Sequence, residues 1–159
     1  GSGAIAVAIA VNAPYARVMA TDISNAALQL ARRNAMRHRC ADRINFVQAD
    51  LFPSAAPKFD LIVSNPPYIP SASIAALDPE IARHEPRGAL NGGPDGLAFY
   101  RRIAADARQH LVDDGVVMVE VGAGQAGEVA GLFRRAQFGK IDTVRDLAGI
   151  DRVVTAQAG

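Results

Sequence analysis

Along this chain, short uninterrupted apolar runs alternate with stretches in which apolar residues recur every three or four positions. The first stretch, Ala4, Ile5, Ala6, Val7, Ala8, Ile9, Ala10 and Val11, is apolar at every position and predicts a buried helix. Residues 16–20 form a short strand pattern that ends at Thr21 and Asp22. Ser24 is then a good N-cap for a helix over about 25–39, with Leu28, Ala31 and Ala35 on its inner face and Arg32, Arg33 and Arg37 outward. Strand patterns follow over 43–48 and 59–63. Residues 69–94, rich in Pro, Gly and Ala, read as a long irregular segment of the kind that carries function. A helix is predicted from Asp95 or Gly96 to about 110, and a central strand over 116–121, where the apolar run is continuous. A helix over 125–136 and two strands at 141–145 and 152–156, the pair forming an antiparallel edge, complete the chain. Strands alternating with helices predict an α/β fold: a mostly parallel sheet with helices on both faces.

Composition narrows this little but excludes several classes. The 159 residues are expected to form one domain, 1–159, with a full core. A hydrophobic share of 50% and a charged share of 21% argue against disorder. A net charge of +1 gives no broad electrostatic case for nucleic acid or a membrane surface. The single cysteine, Cys40, excludes an internal disulfide framework; with His38 it lacks a second His/Cys cluster, so no metal is expected. The absence of an apolar run of membrane-spanning length makes the cytoplasm the expected compartment.

The chemistry is concentrated at strand ends. Gly1, Ser2 and Gly3 run straight into the first helix, as the end of a nucleotide-binding loop does, so the chain is expected to begin inside such a loop. Asp22 lies 19 residues after Gly3 at a strand's carboxyl end, where an acidic side chain accepts hydrogen bonds from ribose hydroxyls. Asp50, at the next strand's end, could accept from an adenine amino group, with Leu51 and Phe52 packing on the base. Asn65, Pro66, Pro67 and Tyr68 follow the run Phe59, Asp60, Leu61, Ile62 and Val63 almost directly. The prolines have no N–H and a fixed φ, so the ladder stops and carbonyls are left at the sheet's end. Such a tip suits a planar NH2 group, held through its hydrogens while an aromatic ring packs on its face. His84 and Glu85 could contact substrate or cap the loop; His38 and His110 read as cations at helix ends.

These residues resemble the class I S-adenosylmethionine-dependent methyltransferases that carry an Asn-Pro-Pro-Tyr motif. Longer stretches are similar, more narrowly, to the HemK/PrmC proteins, protein-(glutamine-N5) methyltransferases of peptide-chain release factors. These are Arg83 through Leu90, Gly92-Gly93-Pro94-Asp95-Gly96, Glu120-Val121-Gly122-Ala123-Gly124-Gln125 and Arg145-Asp146-Leu147-Ala148-Gly149. The resemblance implies a Rossmann-like sheet with S-adenosyl-L-methionine as cofactor. Gly1 and Gly3 would approach its methionyl part, Asp22 its ribose, and Asp50 and Leu51 its adenine, with Asn65 bordering it. Asn65, Pro66, Pro67 and Tyr68 would hold the substrate amide, with Asn65, Pro66 and Tyr68 counted as catalytic. The family's loop starts with an acidic residue and an earlier glycine on a preceding central strand, and a helical domain that helps engage the release factor precedes the catalytic domain. This sequence lacks those, and the sheet is therefore expected without its first central strand.

The implied reaction moves a methyl group to a glutamine side-chain nitrogen in a release factor. It needs no metal, no covalent intermediate and no tuned general base; positioning carries it. Two alternatives stay open on the sequence: an adenine-N6 methyltransferase of DNA or RNA, since Asn-Pro-Pro-Tyr is shared, and an inactive truncated fragment. A stacking site and strong salt dependence would mark the nucleic-acid enzyme; here the only basic cluster is Arg32, Arg33, Arg37 and Arg39.

Overall fold

The computed structural model describes residues 1–76 and 86–159 and divides into two compact units, Gly1–Ala56 and Pro57–Gly159. His84 and Glu85 lie outside the described residues.

In the first unit, Gly3 sits at φ 77 as the N-cap of α1 (Ala4–Asn12). β1 (Val18–Asp22) and β2 (Ile44–Gln48) pair in parallel, with Val18 opposite Ile44 and Asp22 opposite Gln48. Between them runs α2 (Asn25–Arg37). The Ser24 side chain accepts from the Ala27 N–H at 3.2 Å, and Leu28, Ala31 and Ala35 are the buried face, as the pattern predicts. The core joins Ala6, Val7 and Ala10 to Ala35, Cys40 and Ile44, with Val18, Ala20 and Phe46 packed against them. α1 departs from expectation. Its all-round apolar sequence predicts burial on every side, yet Ile5 and Val11 are 41% and 46% exposed. The partners this unit supplies are α2 and a two-stranded sheet, enough to cover the stripe of Ala6, Val7 and Ala10.

In the second unit the sheet order is β3-β4-β6-β5, built from β3 (Phe59–Ser64), β4 (Leu111–Glu120), β5 (Ile141–Arg145) and β6 (Asp151–Gln157). β3 runs parallel to β4, while β6 is antiparallel to both β4 and β5. The antiparallel hairpin thus sits at the edge, with β6 as its inner strand. β4 is central, and Val117 and Val119 are fully buried in it. α3 (Ala98–Asp106) ends earlier than predicted. Its last stretch tightens into a 3-10 turn, Ala107–His110, that buries Ala107 and hands the chain directly to β4. α4 (Ala126–Arg135) buries Val129 and Phe133, and Phe133 meets Phe138 edge-to-face at 5.2 Å. No helix among the described residues is long and apolar enough to cross a membrane.

Candidate active site

The predicted site residues fall into two groups, one in each unit. In the first, the structure brings Gly1 and Asp22 together across 21 positions. The Asp22 Oδ1 accepts from the Ser24 N–H at 2.7 Å, which orients the carboxylate, and Oδ2 faces the Gly1 nitrogen. A Cβ on Gly3 would lie 2.7 Å from the Ala31 Cβ, so only glycine lets the loop pass this close to α2 at a positive φ. The loop is further tied by Asn34, whose Nδ2 donates to the Ser2 carbonyl at 2.9 Å. No side chain caps the first turn of α1.

Past β2, Leu51 adopts φ 67, a conformation in which a bulky side chain is an outlier. The strain, of order 1–3 kcal/mol, persists only where surrounding contacts enforce it. One such contact is Thr21, whose Oγ1 donates to the Leu51 carbonyl at 2.8 Å, lacing the tips of β1 and β2. Thr21 was not singled out by sequence; its position just before Asp22 is the signal that was there. A shallow apolar groove elsewhere on this unit, lined by Ala4, Ala8, Val11 and His38 among others, contains neither Asp22 nor Asp50.

In the second unit, β3 ends at Ser64 and the prolines take the chain out of the ladder. Pro66 is buried, Pro67 and Tyr68 are half-buried, and Asn65 is exposed. Among the described residues, no hydrogen bond reaches the Asn65 side chain or the carbonyls of Asn65 and Pro66. Among those residues the corner therefore presents an amide oxygen and two backbone carbonyls as unused acceptors.

Behind the corner the backbone is tightly held. Ile69 and Asn91 form a parallel bridge, with Ile69 N–H donating to the Leu90 carbonyl at 3.0 Å and Gly92 N–H to the Ile69 carbonyl at 2.8 Å. A Cβ on Gly92 would fall 2.8 Å from both the Tyr68 Cα and its carbonyl carbon. A Cβ on Gly96, at φ 78, would fall 2.4 Å from the Tyr68 carbonyl oxygen. The 92–96 stretch, noted in the sequence for its likeness alone, is in fact the wall against which Tyr68 is pressed. Asp95 fixes that wall to α3, accepting from the Leu97 N–H at 3.1 Å and from Arg101. The Arg101 guanidinium first, then the Leu97 N–H, hold the Asp95 carboxyl down to about 2. Because this value lies below that of the unfolded chain, the contribution of the pair is complete above about pH 4 and is lost as pH falls toward 2. Carboxyl-carbon NMR of Asp95 should titrate in that lower window, with the Leu97 amide shifting in step.

Tyr100, fully buried on α3, donates its hydroxyl to the Glu120 carbonyl at 2.8 Å, where β4 ends beside the corner. Burial first, then the nearness of Tyr68 and Glu120, pushes its ionisation well above the ordinary tyrosine range, so it stays a neutral donor. Tyr100→Phe should cost about 1–3 kcal/mol in urea unfolding, since it strands that carbonyl.

A model of the methyltransferase small domain family matches residues 1–81, a span that includes both groups of site residues. The chain belongs to the methyltransferase small domain family. Among its relatives is the release factor glutamine methyltransferase of Geobacter sulfurreducens, 49% identical over 160 residues, covering 100% of this chain and 56% of the relative. The chain thus spans about half the length of the curated relatives it matches. A methyltransferase from Pyrococcus furiosus shares the fold at a TM-score of 0.70 and 16% identity, covering 98% of this chain and 70% of the other. A release factor-specific protein-(glutamine-N5) methyltransferase from Alicyclobacillus acidocaldarius aligns at a TM-score of 0.50 and 28% identity, over 98% of this chain and 88% of that one. The architecture is that of a class I methyltransferase, with the predicted alternation of strands and helices and the predicted antiparallel end, its strands lying in two sheets, β1-β2 and β3-β4-β6-β5.

Proposed function

We propose that this chain is the catalytic part, spanning residues 1–159, of an S-adenosylmethionine-dependent methyltransferase. It acts in the cytoplasm on the side-chain amide nitrogen of a glutamine in a peptide-chain release factor. The observation that carries the reading is the exposed Asn65 amide beside carbonyls that no described residue uses, on a corner stiffened by two prolines. Identity near one-half to relatives named for that reaction supports the substrate class.

The residues in hand fit the cofactor. The first-turn N–H groups of α1 lack a side-chain cap and suit a carboxylate. Asp22 is oriented by Ser24 at the end of β1 and faces the glycine loop, which suits ribose hydroxyls. Asp50 suits an amino group, and Leu51, held in a strained conformation, offers apolar surface for a base. When bound, S-adenosylmethionine supplies a methyl group made electrophilic by its sulfonium.

An amide nitrogen is a poor nucleophile because its lone pair is delocalised into the carbonyl. Asn65 Oδ1 and the Pro66 carbonyl accept its two hydrogens and draw electron density back onto nitrogen. The Tyr68 ring packs on the amide plane and fixes its orientation. Positioning of this kind is worth up to roughly 7–11 kcal/mol. No base is needed beforehand, since the methylated amide sheds its extra proton readily to water.

The test is methyl incorporation from labelled S-adenosylmethionine into a release factor, run beside an adenine-containing RNA. Label in the protein alone, on a glutamine, is the expected result. Label in the RNA would overturn it in favour of an adenine-N6 enzyme, and label in neither would favour an inactive chain.

A further inference from the structure

Resting on the amide-clamp function proposed above, we infer that Gln125 is a positioning residue for the clamp, one that locks Tyr68 through its backbone carbonyl. Three hydrogen bonds define the device. The Gln125 Nε2 donates to the Tyr68 carbonyl at 3.0 Å, across 57 positions of sequence. Its Oε1 accepts from the Gly122 N–H at 3.0 Å, and its own N–H donates to the Gly122 carbonyl at 3.0 Å. The side chain is therefore a fixed strut from the turn after β4 to the corner after β3.

The strut needs a donor and an acceptor on one planar group. A carboxylate lacks the donor, a hydrocarbon lacks both, and a flipped amide would set donor against donor and oxygen against oxygen. Close approach of the neighbouring backbone leaves it no freedom. A Cβ on Gly122 would lie 2.7 Å from Oε1 and 3.0 Å from the Tyr68 Cδ2, and a Cβ on Gly96 would lie 2.7 Å from Nε2. The Gly122 backbone thus lies close to both the Gln125 amide and the Tyr68 ring, and Gly96 lies close to the amide and the Tyr68 carbonyl. The peptide unit it grips lies two residues from the Pro66 carbonyl, so a slack strut loosens acceptor and ring together. A misplacement of about 1 Å at a reacting group can cost roughly 10²-fold in rate.

A turn-stabilising glutamine and a positioning one differ in how Gln125→Glu behaves with pH. The introduced carboxylate still accepts from Gly122 but turns an oxygen toward the Tyr68 carbonyl; once protonated, it donates there and restores the strut. In the full chain, NMR of the Tyr68 ring and the Asn65 side-chain amide should then shift with the titration of that carboxyl, and return toward wild-type positions at low pH. In methyl transfer to the release factor, Gln125→Glu should lower kcat by about 10–10²-fold at pH 8, with the cofactor KM within about twofold. The ratio of variant to wild-type kcat should recover several-fold by pH 5.5. Gln125→Met, which keeps the volume and loses both bonds, should show the loss without the recovery. A constant variant-to-wild-type ratio across pH, or full kcat in Gln125→Met, would overturn the inference. So would Tyr68 and Asn65 resonances indifferent to the carboxyl. If wild type itself methylates no release factor, the functional reading fails, while the NMR titration still decides on the strut.

Discussion

Asn65→Ala should lower kcat for release factor methylation by about 10²–10³-fold, the cost typical of removing one preorganised hydrogen-bonding group from a reacting centre. Cofactor affinity measured by isothermal titration should change little, because Asp22, Asp50 and the α1 terminus lie in the other unit. Stability should stay within about 0.5 kcal/mol, since Asn65 is exposed and holds nothing among the described residues. This combination separates a substrate clamp from a structural turn. A polar side chain without a partner among the described residues, at a strand end where prolines have already stripped away the ladder, contributes little to the fold. Full turnover in the variant would remove Asn65 from the reaction altogether.

Gly96→Ala should be the most damaging single methyl group in the chain. The positive φ alone costs alanine about 1–2 kcal/mol. The added carbon also lands 2.4 Å from the Tyr68 carbonyl oxygen and 2.7 Å from the Gln125 Nε2. Backbone cannot rotate out of the way as a flexible side chain can, so overpacking adds about 1–3 kcal/mol. A total loss of about 2–5 kcal/mol in denaturant unfolding is expected, with turnover falling further than stability predicts because the corner is displaced. Gly124→Ala is the control. Gly124 has φ 83 but nothing within 4 Å of the new carbon, so only the conformational cost should appear. Equal losses at the two positions would mean that the wall behind Tyr68 is not tight.

What the sequence revealed and what it hid divide along one physical line. Features set by near neighbours were legible. Ser24 caps α2 as read, Leu28, Ala31 and Ala35 form its buried face, and the apolar run around Val117 and Val119 is the central strand. The strand-end placement of Asp22, and of Asn65 after β3, followed from the same local patterns. Features set by distant segments were not legible. Gly92, Gly96 and Gln125 matter because three stretches of backbone converge on Tyr68, and nothing in their own neighbourhoods records that. Gly122 entered the sequence reading only within a stretch of family likeness, yet its N–H holds the strut. The all-apolar α1 misled in the opposite direction: a helix's own sequence says which residues can be buried, while its partners decide which are.

The clamp grips both hydrogens of a primary amide at once, and product stoichiometry reads this directly. A release factor already bearing one methyl on its glutamine nitrogen can offer only a single N–H to Asn65 and Pro66. Exhaustive incubation with excess S-adenosylmethionine, followed by mass spectrometry of the glutamine-bearing peptide, should therefore find one methyl group on the side-chain nitrogen and no second. Accumulation of a dimethylated amide at a comparable rate would contradict the two-hydrogen grip.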